Sequence, residues 1–115
     1  MHTVSRFLQG SFPFEGQGRC KPVPIDPALT YTVPPGTTAQ ALYFRGGNST
    51  DEMITIVLVR EGRPMRYFPI GARDGIHVPL RVVDDLISHT QIELHIAAPE
   101  GCTGTVVIDL GLVEV

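Results

Sequence analysis

His77, Glu93 and His95 are the residues of this chain whose types suit metal chemistry. Two imidazoles and a carboxylate are a ligand set for a first-row divalent cation, of the kind some small β-barrel enzymes use. His77 sits in IHVPLRVV (76–83), where Ile76, Val78, Leu80 and Val82 take one parity and His77, Pro79, Arg81 and Val83 the other. Glu93 and His95 sit in QIELHIAA (91–98), again on the parity opposite to the apolar set Ile92, Leu94, Ile96 and Ala98. If the two strands are antiparallel neighbours, His77, Arg81, Glu93 and His95 project from one polar face. An ordinary solvated sheet face uses the same residues. That plainer reading carries more weight here, because none of the Gly-rich His/Glu repeats of cupins surrounds them.

A second group is cationic. Arg60, Arg63 and Arg66 surround a hairpin signal, with Arg45 and Arg73 in flanking loops. Arginines held close together suit a planar anion through bidentate contacts, or an acidic partner surface. Cross-strand pairing with Glu61, Asp51, Glu52 or Asp74 accounts for them equally simply. A third candidate is the stretch Gly46–Glu52, GGNSTDE, seven turn-forming residues without an apolar member, in the company of Tyr43, Tyr67 and Phe68. Polar loops beside aromatic rings at one end of a sandwich resemble, in general character, the way carbohydrate-binding sandwiches hold sugars or Ca²⁺. The 115 residues include no Trp, and Tyr67 and Phe68 have opposite parity, so at least one of them belongs to the core.

Other chemistries find no support. GxSxG, HExxH, GxxxxGK and GxGxxG are all absent, and neither Cys20 nor Cys102 has an adjacent His or a CxxC partner. Two free thiols are the plainer expectation, with a bridge tying the N-terminal arm to the last turn as the lesser alternative. A net charge of -3 removes the positive field that nonspecific nucleic-acid binding relies on. The N-terminal stretch lacks a basic segment followed by an apolar core, so a cytoplasmic location is expected. No membrane partner is expected either, since the longest apolar run is far shorter than the roughly 20 residues of a span.

That run, Met53–Val59, organises the rest. It has one polar member, Thr55, and β-branched residues at Ile54, Thr55, Ile56, Val57 and Val59, which favour a buried strand. Glu61–Gly62 then supplies a two-residue hairpin loop, and the chain returns through Met65–Phe68. Further strands are predicted at 30–33, 39–45, 76–83, 91–98 and 105–115, with Leu42 and Phe44 of the second in the core. Pro79 implies an edge or a bulge, and Asp84 and Asp85 are placed to cap one helical turn over 86–88.

Turn signals about every ten residues, with 12 Gly and 10 Pro, predict an all-β chain: an antiparallel β-sandwich of jelly-roll type, seven or eight strands and at most one short helical turn. Residues 1–115 are expected to form a single domain, on which residues 1–27 lie as an irregular Phe- and Pro-rich arm that no central strand can accommodate. Its Phe7, Phe12 and Phe14 are suited to covering the core or a neighbouring subunit. The terminal strand is expected to be packed, either through self-association along its edge or in a closed sheet.

The functional expectation is a non-catalytic binding module for a small polar or anionic ligand, carbohydrate-like ligands included, held by Tyr43, Arg45, Asn48, Asp51, Arg66 and Tyr67. One alternative is an assembly or accessory subunit acting through homo-oligomerisation or docking on another protein. The other is a small metal-dependent enzyme using His77, Glu93 and His95; outside that reading no cofactor is expected.

Overall fold

The computed structural model describes residues 3–115 and is an antiparallel β-sandwich. Its strands are β1 (Val4–Glu15), β2 (Gly18–Pro24), β3 (Thr30–Thr32), β4 (Ala39–Asn48), β5 (Ile54–Arg60), β6 (Arg63–Ile70), β7 (Gly75–Pro79), β8 (Asp85–Leu86), β9 (Gln91–Ala98) and β10 (Thr103–Glu114). The first sheet runs β1-β10-β4-β7, with β8 also on β4; the second runs β2-β9-β5-β6, with β3 also on β9. Among the described residues no helix is long and apolar enough to cross a membrane.

The apolar run becomes β5, enclosed between β9 and β6, and Ile54, Ile56, Val57, Leu58 and Val59 are all buried. The hairpin forms at the predicted dipeptide: Glu61 and Gly62 have φ of 49° and 77°, the pair of positive values that matches the twist of the flanking strands. The two sheets meet at Phe44 of β4 and Phe68 of β6, whose rings stack at 4.3 Å and 9°. Offset aromatic contact of this kind adds to the burial of both rings.

Four expectations are corrected. Residues 1–27 are not an irregular arm over their described length: β1 pairs with β10 along twelve residues and β2 lies at the edge of the second sheet. Both are edge strands, where Pro13, Pro22 and Pro24 withhold only donors that have no ladder partner. Leu42 is not in the core and is 43% exposed. In the β4–β10 ladder Tyr43 faces Gly111 and Ala41 faces Leu112, so Leu42 is an extra residue; the bulge resets the parity, and Ala41 and Phe44 both point inward.

The segment after Asp84 is no helical turn. Asp85–Leu86 bridges to β4 and buries Leu86, while the helical turn is a 3-10 turn at Pro27–Leu29, capped by the Asp26 carboxylate on the Ala28 amide. Finally β10 is not an edge: it lies between β1 and β4, so pairing with another copy along that strand is closed off.

Candidate functional site

The proposed metal set is divided by the sandwich. His77 is on β7 in the first sheet; Glu93 and His95 are on β9 in the second, and the outward faces of the two sheets look in opposite directions. Alternation had assigned each residue correctly to the outward side of its strand, but β7 pairs with β4 rather than β9. Among the described residues no group of His, Cys, Asp and Glu is placed to hold a metal ion. The His95 Nε2 is buried without a hydrogen-bond partner, 3.8 Å from a Glu93 carboxylate oxygen.

The arginines likewise disperse. Arg66 reaches past the edge of the second sheet, donating to the Asp84 carboxylate at 2.7 Å and the Val82 carbonyl at 3.2 Å, and so ties β6 to the segment before β8. Arg73 pairs with Asp51, both well exposed. That contact holds the Asp51 carboxyl below its ordinary range, with the hydrogen bond as the main cause. Arg60 and Arg63 face each other across the hairpin, and Arg45 is on the other sheet.

The six residues expected to form one ligand site occupy four places. Tyr43 and Arg45 lie on the outward face of the first sheet. The Tyr43 ring lies over Gly111, so closely that a Cβ there would come within 2.0 Å of it. The Tyr43 hydroxyl donates to Asp109 at 3.0 Å, Arg45 is 5.2 Å from the ring centre, and the His77 ring stands edge-on at 6.0 Å. Desolvation first, and then the bond to Asp109, raise the Tyr43 phenol above its ordinary pKa. An aromatic ring covering a cross-strand glycine is a packing device, and it leaves little of the ring free.

Asn48 is buried and fully engaged: its Nδ2 donates to the carbonyls of Glu52 at 2.8 Å and Gly71 at 3.0 Å, and its Oδ1 accepts from the Thr50 amide at 2.9 Å and hydroxyl at 2.8 Å. It knots the β4–β5 loop to the β6–β7 loop and has nothing left for a ligand. Asp51 lines a polar cavity of about 460 Å³ at that end of the sandwich, between the Ser49–Glu52 and Pro99–Thr103 segments.

Arg66 and Tyr67 part company because successive residues of a strand point to opposite sides. Tyr67 stands outward, 61% exposed, on the rim of a groove of about 450 Å³ across the outer face of the second sheet. Thr55, Val57 and Ala97 floor the groove; Arg19, Cys20 and Pro22 line it from β2, and Pro64 from β6. Its wall arises from a register break. Gly18 pairs with Ala98 and Val23 with Ile96, so residues 19–22 arch over the single residue Ala97. Arg19 pins the arch to the far loop, donating to the Glu52 carboxylate at 3.0 Å and the Met53 carbonyl at 3.4 Å. Val57 is buried on an outward-facing position because His95 and Tyr67 flank it in register.

Apart from Tyr67, the residues of this groove did not stand out in the sequence. The nearest signal is the spacing Gly18, Pro22 and Pro24 around Arg19-Cys20-Lys21, which marks a broken strand without saying what lies beneath it. Cys20 and Cys102 are both free thiols, as expected.

The sequence matches no protein-family model and no curated protein sequence. The fold, by contrast, is shared. The CBM36-1 domain of a multidomain xylanase from the hindgut metagenome of Trinervitermes trinervoides superposes with a TM-score of 0.61 at 16% identity, over 96% of each chain. The structure of infectious bursal disease virus Gx strain superposes with a TM-score of 0.51 at 14% identity, over 98% of this chain and 31% of that one, so this chain spans about a third of its length. At such identities the likeness is one of fold.

Proposed function

We propose that this chain is a non-catalytic binding module that takes a neutral oligosaccharide in the groove beside Tyr67. The carrying observation is the groove itself, where an exposed phenol ring stands next to an apolar floor with a few polar groups at its margin. A sugar ring presents an apolar C–H face and a rim of hydroxyls. Tyr67 is suited to the first, and Thr55 and the Arg19 guanidinium to the second. At about 450 Å³ the groove is within the usual size of small-ligand sites. Arg19 already has Glu52 as its counter-ion, so the site favours a neutral ligand over an anionic one. The whole-chain likeness in fold to a domain of a xylanase supports this reading without specifying the sugar.

The test is isothermal titration of the full chain against soluble gluco-, xylo-, manno- and galacto-oligosaccharides, with sugar phosphates as the contrasting set. Binding to at least one neutral series is expected, weakened at least tenfold by Tyr67→Ala. Because Tyr67 is largely exposed, the same variant should stay within about 0.5 kcal/mol of the parent in stability. Absence of binding across the neutral panel, or unaltered binding by Tyr67→Ala, overturns the proposal.

A further inference from the structure

Two sheets leave four open sides, and a bare strand edge invites pairing with another chain unless something blunts it. On the second sheet β6 carries Pro64 and Pro69, β2 carries Pro22, Pro24 and the arch, and β3 has three residues shortly before Pro34–Pro35. At the far side of the first sheet β7 has five residues and ends on Pro79, and β8 has two. The remaining edge, β1, is longer, and its one proline, Pro13, comes near its end. It is twelve residues long, Val4–Phe12 is free of proline, and among the described residues its backbone bonds only to β10. The one charged residue of that stretch, Arg6, is already paired with Glu114 at 3.1 Å. Phe7 and Val4 are exposed there, at 52% and 41%.

From this we infer that two copies of the chain join by antiparallel pairing of β1 with β1 about a two-fold axis at Leu8. The occupant follows from the self-complementarity of the edge. In that register Leu8 faces Leu8, Phe7 faces Gln9, Arg6 faces Gly10, Ser5 faces Ser11 and Val4 faces Phe12. No pair sets like charges against each other, and every inward residue meets an inward residue, so the two cores become continuous. The two Phe7 side chains become diagonal neighbours, about 7–8 Å apart along the sheet and within aromatic reach. An isologous contact of this kind closes on itself at two copies. The 3-10 turn at Pro27–Leu29 runs beside β1, makes no backbone hydrogen bond to it, and contributes Leu29 to the same core as Leu8.

Sedimentation-velocity and light-scattering measurements on the full chain test this. The wild type is expected at twice its 12.5 kDa mass at about 100 μM. Phe7 of one copy faces Gln9 of the other, so the double variant Phe7→Lys/Gln9→Lys sets like charges opposite each other and should weaken dimerisation at least tenfold. Phe7→Glu/Gln9→Lys sets opposite charges there and should remain dimeric. Both positions are exposed, so unchanged circular dichroism and melting establish that each variant is folded. A wild type that stays monomeric up to about 1 mM overturns the inference. So does a pair of folded variants that both dissociate or both stay dimeric.

Discussion

Glu114 offers the sharpest quantitative test of how the described fold is held. Its carboxylate is nearly buried, 8% exposed, and accepts from the Tyr31 hydroxyl on the second sheet and from Arg6 Nε on β1. The pair therefore bridges the two layers. Glu114→Ala removes a hydrogen bond to a charged group, about 1.5–3 kcal/mol, and an ion pair with a half-exposed arginine, about 0–1 kcal/mol. The sum is about 1.5–4 kcal/mol, centred on about 2.5. With an unfolding entropy of about 2.1 cal/mol/K per residue, 115 residues give about 0.24 kcal/mol/K, so the midpoint should fall by about 10 °C.

The cost should depend on pH in one direction. The Tyr31 hydrogen bond, aided by Arg6 and opposed by desolvation, holds Glu114 below its ordinary value of 4.5. A carboxylate depressed in the folded state contributes stability that is present above the unfolded value and is lost as pH falls through the folded one. The gap between wild type and Glu114→Ala should thus be constant from neutral pH down to about 5.5 and shrink in more acidic solution. Glu114→Gln, an acceptor without charge, should cost less at neutral pH and show little pH dependence of its own. Urea unfolding at pH 7 and pH 3 with circular dichroism is the assay. A gap below about 0.5 kcal/mol at pH 7, or the same gap at both pH values, refutes the reasoning.

Other outcomes follow from the same geometry. Tyr31 is pushed above its ordinary value of 10, first by desolvation and then by Glu114, so its contribution is complete below pH 10 and is lost as pH rises beyond it; alkaline unfolding of Tyr31→Phe should lack that component. Asn48→Ala strips partners from two loop carbonyls and a buried amide, and should cost about 3 kcal/mol with faster amide exchange over 49–53 and 71–74. Gly111→Ala places a methyl where the Tyr43 ring lies; the ring must leave Asp109, lowering stability by about 1–3 kcal/mol and returning one phenol toward its ordinary titration in ultraviolet pH spectra. An unmoved tyrosine titration in Gly111→Ala would show the ring is held by something else.

The sequence by itself determined whatever depends on neighbours along the chain. The β-branched run at Ile54–Val59 marked a buried strand, Glu61–Gly62 marked a tight hairpin with Gly62 free to take a positive φ, and the alternation in Gln91–Ala98 sorted inward from outward side chains. Alternation reports a residue's side of its own strand and nothing about which sheet that strand joins. Hence His77 and His95, alike in pattern, ended on opposite outer surfaces, and Arg66 and Tyr67, adjacent in sequence, serve the interior edge and the groove. The bulge at Leu42 shows the same limit on a smaller scale. A single unpaired residue in a ladder with β10, some seventy positions away, reversed the faces of the residues before it. Long-range pairing alone decided these matters, because backbone hydrogen bonds between distant strands set register, and register sets which side chains share a surface.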